Sequence, residues 1–231
     1  MNISLALKEG IKFLNDNSIK TSNLDTELLL ANAINKDRKY ILLNPNEIIN
    51  KNNLVFFRKL IKKRSNNKPI AQLIKKKYFW NSEFFVTNDT LIPRPDTELI
   101  IENALKLTRN KKNLSILDIG VGSGCILLSI LKERQDFYGT GIDISNNCVK
   151  ITKLNAINLK LDSKLKLFKS NVDKFNQGKY DLIVSNPPYI KNFKIKYLEK
   201  DVCGFEPKLA LNGGLDGLSE IRKVINKSSE L

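Results

Sequence analysis

Histidine is absent from this chain, and cysteine is scarce. Without histidine, Ser-His and Cys-His nucleophilic catalysis are excluded, and the commonest zinc ligand is missing. The three cysteines, Cys125, Cys148 and Cys203, lie far apart in the sequence and form no CxxC pair. The sequence therefore predicts neither a metal site nor a disulfide framework.

Long apolar runs are missing as well. No stretch reaches the roughly 18 apolar residues that would predict a membrane-spanning helix, and the first ten residues lack the apolar core of a signal peptide. We therefore predict a cytoplasmic protein without a membrane partner. Hydrophobic residues make up 42% of the 231 positions, which is enough for the core of one large domain or two modest ones.

Acidic residues are outnumbered by basic ones, with Asp+Glu at 24, Lys+Arg at 39 and a net charge of +15. The excess is spread evenly along the chain, which is more typical of a general lysine bias than of a nucleic-acid-binding tail. Residues 58–77 are the exception, because every charged residue there is basic. This segment is either a solvated helix face and loop or an electrostatic footprint for an RNA-containing or acidic partner.

The first part of the chain is predicted to be helical, followed by a hairpin. Apolar residues recur at helical spacing in three segments, residues 5–14, 24–34 and 47–63. Ser22 or Asn23 is a candidate cap for the second helix. Residues 72–86 carry aromatic residues on both sides of Asn81-Ser82, which predicts two strands of a β-hairpin. A further helix is predicted to begin at Pro95.

The second part alternates between strands and helices. Strands are predicted at residues 114–119, 137–144, 165–170 and 179–185, and helices at 124–132 and 145–159. This alternation predicts an α/β fold with a doubly wound parallel sheet.

The motif Asn186-Pro187-Pro188-Tyr189 follows the last of these strands. Two consecutive prolines end a strand, which places Asn186 at the carboxyl edge of the sheet, where open α/β sheets bind ligands. The Asn186 oxygen beside a rigid proline carbonyl is a pair of acceptors suited to an NH2 group, and the ring of Tyr189 can cover the planar group being held. The alternative is a proline-rich turn with a buried tyrosine.

A glycine loop follows the first strand and Asp118. Its residues are Gly120, Val121, Gly122, Ser123 and Gly124. The spacing is GxGxG rather than the GxGxxG of dinucleotide-binding folds. With an acid before it, the loop resembles the nucleoside-binding loop of S-adenosylmethionine (SAM) methyltransferases. The alternative is simply a tight connection between a strand and a helix.

Further candidate ligand contacts end the next two strands. Asp143 can accept hydrogen bonds from ribose hydroxyls, or it can cap the following helix. By position, Asn171 is a candidate partner for the exocyclic amine of adenine, and Ile144 and Val172 are candidates to sandwich its ring. All of these residues follow strand ends in the chain order that would define one crevice.

Together with the glycine loop, the NPPY motif is typical of amino-methyltransferases, which act on DNA adenine and cytosine or on protein glutamine. Upstream and downstream segments narrow the choice. These are KPIAQL at 68–73, YFW at 78–80, LIPRPDTE at 91–98, GFEPKLAL at 204–211 and GGLDG at 213–217. In this order they closely resemble the peptide chain release factor glutamine-N5 methyltransferases, the PrmC/HemK family, over nearly the whole chain.

The resemblance implies that residues 1–68 form a helical domain that docks the release factor, residues 69–90 a β-hairpin linker, and residues 91–231 a SAM-binding domain. The implied reaction transfers methyl from SAM to the N5 nitrogen of the glutamine in the release factor GGQ motif. Asn186, Pro187 and Tyr189 would then be catalytic, and Pro188 would complete the substrate site. Asn186 would also contact the cofactor. The implied protein is a monomer near the ribosome with no direct sequence-specific contact to nucleic acid.

Three departures from the family stand out, one of which is the aliphatic Ile144 after the ribose acid. The family commonly has an aspartate and a bulky aromatic where this chain has Asn171 and Val172. We also expect the chain to be C-terminally truncated, which would leave the NPPY strand at an exposed edge of the sheet. Two alternatives remain open, a nucleic-acid adenine-N6 methyltransferase and a truncated, inactive module that binds a release factor or the ribosome.

Overall fold

The computed structural model describes all 231 residues, which divide into two compact units. The first unit comprises Met1–Lys75 and Lys200–Phe205, and the second comprises Lys76–Glu199 and Glu206–Leu231. The boundary at Lys75 therefore groups the hairpin with the second unit. None of the helices has the combination of length and apolar character needed to cross a membrane.

Ten α-helices and six strands form the two units. The helices are α1 (Ile3–Asp16), α2 (Ser22–Ile34), α3 (Arg38–Leu43), α4 (Lys51–Ser65), α5 (Ile70–Ile74), α6 (Glu98–Leu107), α7 (Cys125–Glu133), α8 (Asn146–Asn158), α9 (Lys200–Phe205) and α10 (Ser219–Ser228). The strands are β1 (Lys76–Phe79), β2 (Ser82–Phe85), β3 (Ser115–Ile119), β4 (Tyr138–Asp143), β5 (Leu165–Lys169) and β6 (Leu182–Ser185).

The first unit is a helical domain around a core from α1, α2, α3 and α4, which confirms the helical expectation for this part. Its largest fully buried side chains are Ile3, Leu14, Leu29, Leu30, Ile41 and Phe57. The third predicted helix starts at Lys51 rather than residue 47, because the Asn50 side chain accepts a hydrogen bond from the Asn53 N–H and caps it there. Residues 47–49 instead hydrogen-bond with the start of the chain, through Ile3 N to Glu47 O and Ile49 N to Met1 O.

The basic segment at residues 58–77 contains both structural and solvent-exposed charges. Arg64 donates to Asp25 at 2.7 Å, and both side chains are largely buried. Arg58 makes two hydrogen bonds to the exposed Glu9. The lysines Lys59, Lys62 and Lys63 on α4 are exposed and make no ion pair. The two arginines therefore tie α4 to α1 and α2, while the α4 lysines face solvent.

The predicted hairpin is confirmed, with β1 and β2 antiparallel and Phe79 paired to Ser82. Trp80 and Asn81 both have positive φ, 42° and 55°, as a tight two-residue hairpin turn requires. Its predicted start at residue 72 is wrong, because Ile70–Ile74 is helical and ends at Lys75 in the left-handed region. Phe79 and Phe84 are buried in the core of the second unit.

The second unit contains a four-stranded parallel sheet in the order β5-β4-β3-β6, which confirms the doubly wound α/β prediction. The chain moves from β3 outward through β4 to β5, and then returns to the other side of β3 to form β6. The strand order therefore reverses between β3 and β6. Ligands of open α/β sheets bind at the carboxyl ends of the strands at such a switch point.

Strand β6 lies at the edge of this sheet, as expected from the sequence. It begins at Leu182 rather than residue 179. Tyr180 N donates to Leu231 O instead of to β3, whereas Asp181 N donates to Ser115 O of β3. Ile183 of β6, Val224 of α10 and Leu231 all pack against the buried apolar cluster that includes Leu117 and Phe175.

Candidate functional site

The glycine loop connects β3 to α7 and leaves open space above its backbone. Gly120, Gly122 and Gly124 have φ values of 79°, 58° and 81°, a region that L side chains rarely adopt. A Cβ at Gly120 would have no atom within 4 Å, and one at Gly122 would meet only Gly120 O at 3.9 Å. A Cβ at Gly124 would meet Thr152 at 2.8 Å and Leu128 at 2.9 Å. The first two glycines therefore expose backbone to the cavity described below, and the third permits close packing.

Asp143, the last residue of β4, joins two loops through its carboxylate. Its Oδ2 accepts from Gly122 N at 3.0 Å, and its Oδ1 accepts from Ser145 N at 2.8 Å. The capping alternative belongs to Ser145, whose hydroxyl accepts from Cys148 N at the start of α8. A carboxylate has about four lone-pair sites, so Asp143 retains acceptor capacity after these two bonds.

The residues predicted to lie beside an adenine ring differ in exposure. Val172 is buried, whereas Ile144 is 55% exposed. The Asn171 Oδ1 accepts from Asp173 N at 3.1 Å and caps the short 3-10 helix Val172–Lys174. One lone pair of Asn171 is therefore already used by its own turn.

The NPPY motif begins where β6 ends. The Ser185 hydroxyl donates to Ile119 O at 2.6 Å, so the ends of β6 and β3 are tied together. The Asn186 side-chain nitrogen donates to the Thr97 hydroxyl at 3.2 Å. Beyond the prolines, Ile190 N donates to Leu211 O and Gly213 N donates to Ile190 O, at 3.1 and 2.8 Å. The motif is thus held at both of its ends.

One cavity of about 620 Å³ collects most of these groups. It is lined by the predicted residues Gly120, Val121, Gly122, Ser123, Asp143, Ile144, Asn171, Val172, Asn186, Pro187 and Pro188. Its volume lies within the range of about 300–1,000 Å³ that is typical of small-molecule sites. Gly124 and Tyr189 are not in its lining, and Tyr189 is 62% exposed and borders a separate apolar groove beside α10.

Four residues at or next to the site were not predicted from the sequence, namely Arg94, Thr97, Glu206 and Gly213. Arg94 and Thr97 line the cavity. Glu206, with its side chain 1% exposed, pairs with Arg94 and accepts from Ile92 N. A Cβ at Gly213 would meet Pro188 O and Tyr189 Cα at 2.8 Å, so only glycine fits against the NPPY backbone there. All four lie in segments that carry the family resemblance. Their positions at the site depend on contacts between residues far apart in the chain, which no local sequence pattern reveals.

Burial has a strong effect on three ionisable groups near the loop. Desolvation, with a smaller contribution from the Asp143 charge, raises the pKa of the Asp118 carboxyl; the Leu127 N–H partly offsets this rise, and the pKa reaches about 7. Desolvation also raises the pKa of the Cys125 and Cys148 thiols to about 12. Although both cysteines line the cavity, they stay protonated at neutral pH and are poor nucleophiles.

Two protein-family models match successive parts of the chain. Residues 6–74 match the PrmC N-terminal domain, and residues 95–202 match the methyltransferase small domain. A release factor glutamine methyltransferase from Buchnera aphidicola subsp. Baizongia pistaciae is 38% identical over 98% of this chain and 82% of its own length. The enzyme of the same name from Caulobacter vibrioides is 35% identical over 91% of this chain and 73% of its own length.

A solved SAM-dependent methyltransferase from Geobacter sulfurreducens, in complex with S-adenosyl-L-homocysteine, is 22% identical with a TM-score of 0.34. It covers 38% of this chain and 35% of its own. That likeness is too low to support a functional assignment. The identity to the two relatives extends over nearly the whole chain and most of each relative, and it includes both matched domains. The chain therefore belongs to the release factor glutamine methyltransferase family.

Proposed function

We propose that this protein transfers the methyl group of SAM to the N5 amide nitrogen of the glutamine in the GGQ motif of peptide chain release factors. One observation carries the proposal beyond family membership. The acceptor residues Asn186 and Pro187 and the open glycine loop line the same cavity at the switch point of the sheet. A donor of methyl groups and an amide can therefore meet there.

The residues at the glycine loop fit SAM. The ligand is a nucleoside without phosphate, so close approach to the loop backbone matters more than anion binding. Gly120 and Gly122 leave that approach open, and Asp143 retains acceptor capacity for ribose hydroxyls. Ile144 and Val172 offer apolar surface for adenine. When bound, SAM supplies an electrophilic methyl group on a positively charged sulfur.

The NPPY residues supply orientation rather than acid–base chemistry. Asn186 Oδ1 and the Pro187 carbonyl accept the two N–H bonds of the glutamine amide, which fixes the direction of its nitrogen. These acceptors also favour the positive charge that develops on that nitrogen during transfer. Alignment of this kind can contribute about 7–11 kcal/mol to lowering a barrier. Tyr189 would have to turn its ring toward the cavity to cover the amide plane.

No residue of the site needs to act as a strong base. An amide nitrogen is a poor nucleophile because its lone pair is delocalised, but once methylated it becomes acidic and releases its proton to water. The absence of histidine is therefore compatible with the reaction. The high pKa values of the Cys125 and Cys148 thiols likewise fit direct transfer without a covalent enzyme intermediate.

The proposal assigns release-factor docking to residues 1–68, a linker to residues 69–90 and SAM binding to residues 91–231. It also places the protein in the cytoplasm as a monomer near the ribosome, where release factors work. The adenine-N6 alternative is not favoured, because the residues before the glycine loop match the PrmC N-terminal domain rather than a nucleic-acid recognition region. An inactive binding module would bind release factor without methylating it.

Methyl transfer from labelled SAM tests the function directly. We expect label in wild-type release factor and none in a release factor whose GGQ glutamine is replaced by alanine. DNA and RNA should remain unlabelled. If the protein binds release factor but transfers no label, it is an inactive binding module. If label enters nucleic acid, the substrate is a nucleic acid and not a release factor.

A valine at Gly120 should strongly weaken SAM binding while the protein still folds. At φ 79° an L residue costs roughly 1–3 kcal/mol, but no atom lies within 4 Å of the new Cβ, so the side chain projects into the cavity. Calorimetry should show at least about 100-fold weaker SAM binding, corresponding to about 2.7 kcal/mol. Gly120→Ala, whose smaller and unbranched side chain adds less strain at this φ, should lower Tm less and weaken binding less. Unchanged affinity in Gly120→Val would place SAM elsewhere.

A further inference from the structure

Asn186 is joined by its side chain to a residue that lies 89 positions earlier. Its Nδ2 donates to the hydroxyl of Thr97 at 3.2 Å. Thr97 is 7% exposed, and both residues line the 620 Å³ cavity. The contact therefore lies at the site and is partly shielded from bulk water, which strengthens a hydrogen bond relative to a fully exposed one.

Thr97 is free to make this contact because it does not serve its own helix. It stands at the N-cap position of α6, where a threonine hydroxyl ordinarily accepts a backbone N–H of the first turn. Here the cap makes no side-chain hydrogen bond, and the backbone of Thr97 is helical, with φ −70° and ψ −18°. The local structure therefore does not account for the hydroxyl, whereas the contact to Asn186 does.

The direction of the Asn186 amide decides what the site can hold. One end of the side chain is a donor and the other is an acceptor, and a half-turn about the last torsion exchanges them. With the nitrogen held by Thr97, the oxygen is left for the cavity. With the amide reversed, a donor would face the N–H groups of an amide substrate, and no hydrogen bond could form.

We propose that Thr97 is a positioning residue for methyl transfer, which restrains the Asn186 side chain in the arrangement that leaves Oδ1 for the substrate nitrogen. The inference rests on the proposed function for its effect on turnover. Thr97 itself does not touch the reacting atoms. It acts through Asn186. The hydrogen bond restricts rotation of the Asn186 side-chain amide before the substrate binds, so less conformational entropy is lost on binding.

The turn that carries Thr97 is itself well anchored. Thr97 N donates to Arg94 O at 3.0 Å, and Pro95 occupies the first position of the 3-10 helix Pro95–Thr97, where its fixed φ suits the turn. The buried Glu206 holds Arg94 and also accepts from Ile92 N. The segment before Thr97 is thus fixed at two points, so the hydroxyl meets Asn186 with little freedom.

Two substitutions of Thr97 distinguish the effect of its hydroxyl from the effect of its side-chain shape. Thr97→Val keeps the volume and removes the oxygen, and Thr97→Ser keeps the oxygen. We expect Thr97→Val to lower kcat roughly 10- to 100-fold, because a small misplacement in a reaction site can cost about 100-fold. SAM affinity and Tm should stay close to wild type, and Thr97→Ser should restore kcat. Equal losses in both variants, accompanied by lower Tm, would mean a structural role and overturn the proposal.

A double-mutant cycle tests whether Thr97 acts through Asn186. In an Asn186→Ala background the hydroxyl has nothing to orient, so adding Thr97→Val should cause no further loss of kcat. A second loss of the same size in that background would show an independent effect and contradict the inference.

The contact can also be measured without turnover. In ¹⁵N-labelled protein, the Asn186 side-chain amide is assigned by the signal that Asn186→Ala removes, and its hydrogen exchange is compared between variants. We expect faster exchange in Thr97→Val and near wild-type exchange in Thr97→Ser. Unchanged exchange in Thr97→Val would overturn the inference even in an active enzyme. A wild-type protein that does not methylate release factor would refute the proposed function, and the exchange comparison would still decide the Thr97 contact.

Discussion

Replacing Asn186 with alanine should reduce methyl transfer to release factor by roughly 100- to 1,000-fold, the loss seen when one preorganised charge-stabilising group is removed from an active site. The Asn186 oxygen is one of two acceptors proposed for the substrate amide, and the Pro187 carbonyl alone cannot fix the nitrogen's direction. SAM binding should persist, because Asp143 and the glycine loop remain intact. The measurement is single-turnover transfer of labelled methyl, alongside SAM calorimetry.

A matched control for this variant is Asn103→Ala, on the exposed face of α6 in the same unit. The Asn103 side chain donates only to Leu99 O, four residues earlier in its own helix. It should transfer methyl at the wild-type rate. Near-normal turnover by Asn186→Ala would refute the acceptor role, whereas loss of both turnover and SAM binding would make Asn186 a residue of the cofactor site.

The fold could be predicted wherever the determining signal is local. Alternation of apolar strands with helical segments was enough for the parallel sheet, and the paired aromatics around Asn81 were enough for the hairpin. The start of α4 was predicted wrongly because residues 47–49 pair with Met1 and Ile3, a contact invisible to periodicity. Helices α3 and α5, six and five residues long, are too short to show a helical period.

The site divides in the same way. Some site residues can be predicted because their type is tied to the backbone at their own position. These are the glycines of the loop, the aspartate at a strand end and the two prolines. Thr97 and Glu206 cannot be predicted in this way, since their partners Asn186 and Arg94 lie 89 and 112 positions away. The side chain of Tyr189 turns away from the cavity although its motif neighbours line it, and no local pattern fixes the direction of a side chain in a loop.

The pKa of Asp118 is a property that its place in a recognisable motif does not reveal. It lies in the interior strand β3, is 1% exposed, and neither carboxylate oxygen has a hydrogen-bond partner at normal bonding geometry. Burial disfavours the charged form and the Leu127 N–H compensates only in part, which is why the pKa rises from 3.8 to about 7. The folded protein therefore keeps this proton at pH values where the unfolded chain has lost it.

This proton sets the sign of a pH effect on stability. Between about pH 4 and pH 7 the folded state binds more protons at Asp118 than the unfolded state, so the free energy of unfolding falls as pH rises. Below this window both states are protonated, and above it both are ionised, so the contribution is constant on either side. A shift of about three units corresponds to at most roughly 4 kcal/mol.

Asp118→Asn removes the ionisation while keeping the shape of the side chain. We measure the free energy of unfolding by urea titration. The value for the variant minus that for wild type should increase by up to about 4 kcal/mol between pH 4 and pH 8, and most of the increase should fall between about pH 4 and pH 7. Asp136→Asn is the control. The pKa of the half-buried Asp136 is lowered, chiefly by the Arg134 hydrogen bond, so the difference of this variant from wild type should change only below about pH 4. A constant difference between Asp118→Asn and wild type across the window would mean that Asp118 is already ionised in the folded protein, and that water or a backbone donor reaches its carboxylate.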